Sequence, residues 1–147
     1  ERGQEHHALL LGHSRAGVTG VDVGFSGLLS YAGGGMAQIS SSFDLPWYTH
    51  ADVLGEHGRL VLNRPFTGLV PGERRLMFVD ADDRAEQVPV EEQELYAGEV
   101  EDMHAAILDG APPFISLDET RNHVRTALAL YASARRGERV YVAEIGE

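Results

Sequence analysis

The segment of residues 43–50 contains the side chains best suited to bind a small polar ligand. Asp44, Trp47 and His50 fall within seven residues of one another, and Pro46 predicts a turn between them. An indole face can stack on a sugar ring, while aspartate and histidine can form hydrogen bonds with hydroxyl groups. Asp44, Trp47 and His50 are therefore our candidate substrate-binding residues. The alternative is that Trp47, the only tryptophan, fills the core at a strand corner.

Catalytic motifs are missing from the sequence. No Gly-x-Gly-x-x-Gly opens a helical pattern, and residues 33–35, a run of three glycines, precede a strand pattern instead. All twelve basic residues are arginine, and the absence of lysine excludes lysine-based proton transfer and Schiff-base chemistry within this chain. The serines of residues 40–42 lie inside a predicted strand and fit a small polar sheet face. We therefore predict no catalytic and no cofactor-binding residue here.

A metal site is not predicted either. There is no cysteine, and the adjacent His6 and His7 point to opposite sides of an extended chain. His104 and His123 fall on different predicted helices, with no carboxylate four residues further on. The paired carboxylates of the sequence are explained by solvated loops and helix starts.

Composition restricts the class of protein and its partners. The 147 residues, 43% hydrophobic, suffice for one domain with a real core. A net charge of −11 argues against binding to nucleic acid or to an anionic membrane surface. No apolar run is long enough to cross a bilayer, and the acidic start at Glu1 is not a signal peptide. We expect a cytoplasmic protein.

The most specific structural prediction is a hairpin formed by residues 21–31 and 36–43. Both segments alternate apolar and polar residues, and the glycines between them suit a tight turn. If the apolar faces coincide, Val23 lies opposite Phe43 and Ser26 lies opposite Ser40. That register requires a loop of odd length, with one glycine absorbing a bulge.

The other predicted elements follow from periodicity and capping signals. Further strands are predicted at residues 7–11, 49–54, 59–62, 75–79, 87–90 and 140–145, with residues 56–58 as a tight turn. One helix has an apolar stripe, formed by Tyr96, Val100, Met103 and Ile107. A second helix begins at a capping box of residues 116–119 and ends at Gly137. Its predicted buried stripe consists of Val124, Ala127, Leu128, Tyr131 and Ala134.

These elements predict an α+β fold, with a mostly antiparallel open sheet of about six strands and helices packed on one face. The opposite face must then meet water, a partner or a second domain. The predicted hairpin contributes small polar residues to that face: Ser26, Ser30, Gln38, Ser40 and Ser42.

The order of these motifs resembles the carboxy-terminal domain of the glucose–fructose oxidoreductase and inositol dehydrogenase family, called Gfo/Idh/MocA. The likeness covers nearly all of residues 20–144, and residues 53–60 are similar to the family's "I-x-G-x-x-G-x-(I/L)" corner. The other segments that carry the likeness are residues 20–22, 33–40, 42–44, 99–103, 110–113 and 130–137.

The resemblance implies an NAD(P)-dependent oxidoreductase that acts on a sugar, polyol or related hydroxy compound. In this family a separate Rossmann domain holds the NAD or NADP cofactor and the lysine that transfers the proton. The resemblance therefore implies that residues 1–147 form a single substrate-binding and dimerisation domain, which is inactive without the Rossmann domain of its parent chain. It also implies a homo-oligomer formed through the open sheet face. Trp47 corresponds to the position of a substrate-side tyrosine in inositol dehydrogenase-like members.

A second hypothesis belongs to a different functional class. The chain could be a stand-alone, non-catalytic interaction module that associates through its sheet. A Rossmann domain encoded upstream of Glu1 would decide for the enzyme, and a start codon near Glu1 would decide for the module.

Overall fold

The structure, a computed structural model, describes residues 9–66, 75–91, 94 and 96–146. Within these ranges the chain forms eight strands, two α-helices and one 3₁₀ helix. The strands are β1 (Leu9–Ala16), β2 (Asp22–Ser30), β3 (Met36–Ser42), β4 (His50–Gly55), β5 (Gly58–Asn63), β6 (Arg75–Asp80), β7 (Ala85–Val88) and β8 (Val140–Tyr141). The helices are α1 (Ala97–Leu108), α2 (Leu117–Arg136) and the 3₁₀ turn at Val142–Glu144.

The elements divide between two compact units. The first unit comprises Glu1–Leu45 and Ile115–Glu147, and its sheet has the strand order β3-β2-β1-β8. The second unit, Pro46–Phe114, has a sheet of order β4-β5-β6-β7. All the strand pairs are antiparallel, which confirms the α+β class. The described strands form two sheets of four rather than one sheet of about six, because β4 to β7 pair only with one another and β8 returns to pair with β1.

The hairpin of β2 and β3 has the predicted register. Ser26 lies opposite Ser40, and the amide of Phe43 donates to the carbonyl of Val23 at 2.9 Å. The five-residue connection has an odd length, and Gly34 in it adopts a φ of +85°. The requirement that both strands place their apolar side chains on one face is therefore sufficient to fix this pairing.

Helix α2 packs closely on the sheet of the first unit. A Cβ atom at Gly12 would lie 2.3 Å from the carbonyl oxygen of Leu130, and one at Gly27 would lie 2.9 Å from the Leu130 side chain. Gly12 therefore requires glycine, since a larger residue would push the helix backbone away, whereas at Gly27 the Leu130 side chain would have to shift. The buried core of this unit consists of Leu10, Leu29, Ala129, Leu130, Ala132 and Val140.

The predicted buried stripe of α2 is wrong. Val124, Leu128 and Tyr131 are exposed, by 54%, 49% and 38%, while the buried residues of the helix are Ala129, Leu130, Ala132 and Ser133. The physical reason is that Gly12 and Gly27 leave room on the sheet for Leu130, so the helix face that carries Leu130 and its small neighbours is the buried one. The capping box predicted at Ser116 and Glu119 is present, and Gly137 ends the helix with a φ of +69°.

Three predicted strands differ from the observed strands by two residues or more at one end or both. Strand β1 continues to Ala16 rather than ending at Leu11, because it pairs with β2 along its whole length. Strand β7 lies two residues before its predicted position. The closing strand is only two residues long, since a 3₁₀ turn begins at Val142. Residues 7 and 8 of the first predicted strand lie outside the described residues.

The second unit contains the predicted tight turn between β4 and β5. Gly58, which pairs with Gly55, has a φ of +150°, and a Cβ there would lie 2.3 Å from the carbonyl oxygen of Val79. Helix α1 has the predicted position, but its apolar side chains Val100, Met103 and Ile107 are exposed. In the part of the chain that the structure describes, no helix is both long and apolar enough to span a membrane.

Candidate functional site

Asp44 lies just after β3, in an ion pair with an arginine of β1. The Arg15 Nη2 atom lies 2.5 Å from Asp44 Oδ1, and the Ser42 hydroxyl donates to the same oxygen at 2.7 Å. The hydrogen bond from Arg15 and then that from Ser42 lower the pKa of Asp44 from 3.8 to about 2. Asp44 is therefore an ionised, half-exposed hydrogen-bond acceptor.

The sheet register explains how Arg15 reaches Asp44. Arg15 pairs with Gly24 of β2, and Gly24 pairs with Ser42 of β3, so the three residues form one row across the sheet. A Cβ at Gly24 would lie 3.3 Å from Arg15 Nη2 and 3.5 Å from Nε. The guanidinium therefore passes over a position without a side chain before it meets the carboxylate beyond β3.

Trp47 lies at the start of the second unit with its ring largely exposed. The indole is 62% exposed, and the Arg64 guanidinium carbon lies 5.0 Å from the ring centroid. Arg64 has a φ of +52°, and its amide donates to the Thr49 carbonyl at 3.2 Å. The exposure does not support the alternative that Trp47 fills the core. A cation over one indole face leaves the second face as the one on which a ligand could stack.

His50 begins β4 and contacts a second aromatic residue. The rings of Tyr48 and His50 lie 4.8 Å apart between centroids and are inclined by 41°. Across the strand pair, His50 lies opposite Asn63. The second unit thus places an indole, a phenol, an imidazole and an amide along residues 47–50 and the facing strand end.

The three candidate substrate-binding residues do not belong to one unit. Asp44 is described with the first unit, whereas Trp47 and His50 are described with the second. Their shared role in binding stays a prediction. Sequence reasoning missed Arg15 and Arg64, and the signal for Arg15 was present. Extending β1 beyond Gly12 would have placed Arg15 in register with Gly24 and Ser42.

Neither described helix begins at a glycine-rich loop of the kind that binds a dinucleotide pyrophosphate. The first turn of α2 is closed by its capping box, in which the Ser116 hydroxyl accepts from the Glu119 amide and the Glu119 carboxylate accepts from the Ser116 amide. Asp118 adds a second carboxylate there, which disfavours a pyrophosphate. Helix α1 follows Tyr96, has Glu99 in its first turn, and is not preceded by a glycine-rich loop in the described residues.

The histidines of the described ranges do not gather around a metal position. Within those ranges no three histidine, aspartate or glutamate side chains are arranged so that they could hold an ion. His6 and His7 lie outside them.

Comparison with known proteins provides one informative sequence relative. No protein-family model matches the chain. The chain is 32% identical over 121 residues to the NADP⁺-dependent D-xylose 1-dehydrogenase 2 of Haloferax volcanii. The match covers 82% of this chain but only 37% of that dehydrogenase, so the chain spans well under half the length of its curated relative.

Solved structures share the fold across almost the whole chain. The aldose–aldose oxidoreductase of Caulobacter crescentus matches 93% of this chain with a TM-score of 0.76 at 17% identity, over 42% of its own length. An oxidoreductase of Agrobacterium radiobacter, solved with NAD⁺, L-tartaric acid and magnesium, matches 95% with a TM-score of 0.71 at 15% identity, over 44% of its length. These structures show the fold, and the sequence relative bears out the resemblance noted from the motifs: the chain fits a carboxy-terminal domain of the Gfo/Idh/MocA oxidoreductase family.

Proposed function

We propose that this chain is the substrate-binding and dimerisation part of an NAD(P)-dependent oxidoreductase that acts on a sugar, polyol or related hydroxy compound. The observation that carries the proposal is the 32% identity to a D-xylose dehydrogenase over 82% of the chain. The cofactor-binding and catalytic residues would belong to a Rossmann domain elsewhere in the complete protein. This division is consistent with the absence of lysine from the chain and with the closed first turn of α2.

Within this proposal, Asp44, Trp47 and His50 contact the substrate. An ionised carboxylate accepts hydrogen bonds from sugar hydroxyls, and an exposed indole offers an apolar face for the ring. The low pKa of Asp44, about 2, and the 62% exposure of Trp47 support these roles. His50, at the start of β4 beside Tyr48, is assigned as a second hydroxyl partner.

The proposed dimerisation surface is the face of the first sheet opposite α2. Cross-strand neighbours on it include Ser26 with Ser40 and Leu28 with Gln38, and all four are exposed. Small side chains permit close approach of a second sheet, and an isologous contact would repeat the same face in both copies. The surface is the one predicted from the hairpin pattern.

The experiment that tests the proposed activity uses the complete protein containing this chain. It is assayed for reduction of NADP⁺ and NAD⁺ with D-xylose first and then with other aldoses and polyols. Turnover of at least one of these compounds is expected. Absence of turnover with every aldose and polyol, in a protein that binds the cofactor, would contradict the proposal.

A second measurement tests the assignment of the cofactor site to another domain. Titration calorimetry of residues 1–147 alone with oxidised and reduced cofactors should show no specific heat of binding. A dissociation constant in the micromolar range for any of them would contradict the assignment of the cofactor site to another domain.

A further inference from the structure

Arg15 has a relationship to Asp44 that neither sequence motif nor family resemblance indicated. The two residues are 29 positions apart and lie on opposite sides of β2. Their side chains are 53% and 47% exposed, so the contact is accessible from solvent. Isolated ion pairs with this exposure contribute little to stability, because water screens them. The pair can therefore have a role besides a small contribution to stability.

The hydrogen bonds to Asp44 are distributed unequally between its two oxygens. Both Arg15 and Ser42 donate to Oδ1, and the Ser42 hydroxyl, which has a single proton, can alternatively donate to the Val23 carbonyl at 3.1 Å. Both of these side-chain hydrogen bonds end on Oδ1, and no side chain of the described residues donates to Oδ2. One oxygen is thus held by the sheet, and the other can accept a hydrogen bond from a ligand.

We propose that Arg15 is a positioning residue that fixes Asp44 through Oδ1, so that Oδ2 can accept a hydrogen bond from a substrate hydroxyl. This inference rests on the proposed function, since it assigns a role to the same carboxylate. Arg15 does not contact the substrate. It holds the carboxylate in one orientation before binding, which reduces the ordering that binding requires.

The row of Arg15, Gly24 and Ser42 supports this role. The guanidinium crosses β2 above Gly24, where a Cβ would make a tight contact of 3.3 Å with Nη2. Ser42 then supplies a second donor from the end of β3. A planar guanidinium has several donors in a fixed arrangement, so it restricts the carboxylate more than a lysine ammonium would.

The test is a set of variants of the complete enzyme, measured with the aldose identified by the activity screen, D-xylose being the first. Asp44→Asn should raise KM about tenfold with kcat nearly unchanged, as expected when a hydrogen bond to a charged group is lost equally from ground and transition states. Arg15→Gln should raise KM about three- to tenfold in the same manner, and Arg15→Lys should restore part of the loss. The double variant Asp44→Asn with Arg15→Gln should match Asp44→Asn alone.

Arg136→Gln is the matched control. Arg136 forms an ion pair with Glu144 at 3.1 Å, with exposures of 46% and 43%, in the same unit. Its substitution should leave KM unchanged. If the removal of any half-exposed ion pair raises KM, both Arg15→Gln and Arg136→Gln will show a higher KM. That result would overturn the inference.

Two outcomes separate this inference from the proposed function. If Asp44→Asn raises KM and Arg15→Gln does not, or if the two effects multiply in the double variant, Arg15 does not act through Asp44 and the inference is wrong. If Asp44→Asn leaves KM unchanged, Asp44 does not bind the substrate, and both assignments fail.

A direct check is the NMR titration of the Asp44 carboxyl carbon in the isolated chain. Arg15→Gln should raise its pKa, and an unchanged pKa would exclude the contact.

Discussion

The hydroxyl of Ser133 on α2 joins the helix to both ends of the first unit's core. Its oxygen accepts from the Gly12 amide at 3.0 Å and donates to the Glu138 carbonyl at 2.5 Å, and Ser133 is fully buried. The hydroxyl therefore gives the amide of Gly12, on β1, a hydrogen-bond partner on the helix. It also ties the chain beyond Gly137 back to the helix.

Replacement of Ser133 by alanine should lower the free energy of unfolding by about 1–3 kcal/mol, because it leaves a buried amide and carbonyl unsatisfied. Chemical denaturation of the chain measures this loss. Ser30→Ala, at an exposed serine of β2, is the control and should change stability by less than about 0.5 kcal/mol. Equal effects in the two variants would show that the buried hydrogen bonds contribute nothing measurable.

Gly12→Ala should be destabilising by about 1–3 kcal/mol or more. The new methyl group would lie 2.3 Å from a helix carbonyl oxygen, so α2 must move away from β1. Gly33→Ala is the matched control, since nothing lies within 4 Å of a Cβ at Gly33. Thermal unfolding measures both variants. Gly12→Ala should lower the melting temperature, and Gly33→Ala should leave it nearly unchanged.

Acid should remove a contribution of Asp44 to stability. The folded chain lowers the pKa of Asp44 from 3.8 to about 2, so its ionised form stabilises the fold above the unfolded value. That contribution is lost as the pH falls from about 4 towards about 2. The difference in melting temperature between the wild type and Asp44→Asn should therefore narrow as the pH falls from about 4 towards about 2. A difference that stays constant over this range would contradict the Arg15 contact in solution.

Ser40→Arg should disrupt self-association. Ser40 lies in the row with Ser26 on the face opposite α2, and an arginine there would place an unpaired charge in the proposed interface. Ser41→Arg changes the adjacent exposed residue, which points to the other face, and should leave the dimer intact. Sedimentation of the wild-type chain as a monomer at tens of micromolar would contradict the proposed dimerisation surface.

The fold was predictable where local patterns determine it. The register of Ser26 with Ser40 followed from the requirement that two alternating strands share one apolar face. The capping box at Ser116 and the helix end at Gly137 are likewise determined by residues close in sequence. These features needed no knowledge of distant contacts.

The buried face of α2 could not be chosen in the same way. The helix has two stripes that could pack on a sheet, and the larger one, which includes Leu128, is exposed. The choice depends on Gly12 and Gly27, which leave room for Leu130 and lie over 100 positions earlier in the chain. Only the long-range packing identifies which stripe is buried.

The residue types of the candidate site could be predicted from the sequence, but the residues that contact them could not. Asp44, Trp47 and His50 were selected because their chemistry suits a polyhydroxylated ligand, and all three are exposed. Arg15 depends on the extension of β1 beyond Gly12, and Arg64 depends on the local conformation at the end of β5. Neither relation is encoded in a short motif.

The most direct test of substrate binding by the segment around Trp47 is the kinetics of Trp47→Ala in the complete enzyme, with Trp47→Phe as the control that retains an aromatic face. KM for the sugar should rise about tenfold, from the loss of roughly 1–2 kcal/mol of stacking and apolar contact, with cofactor affinity nearly unchanged. Thermal unfolding of the same variant should show little loss, because the indole is 62% exposed. An unchanged KM together with a loss of about 3–5 kcal/mol in stability would show that Trp47 is a core residue and would contradict its role in substrate binding.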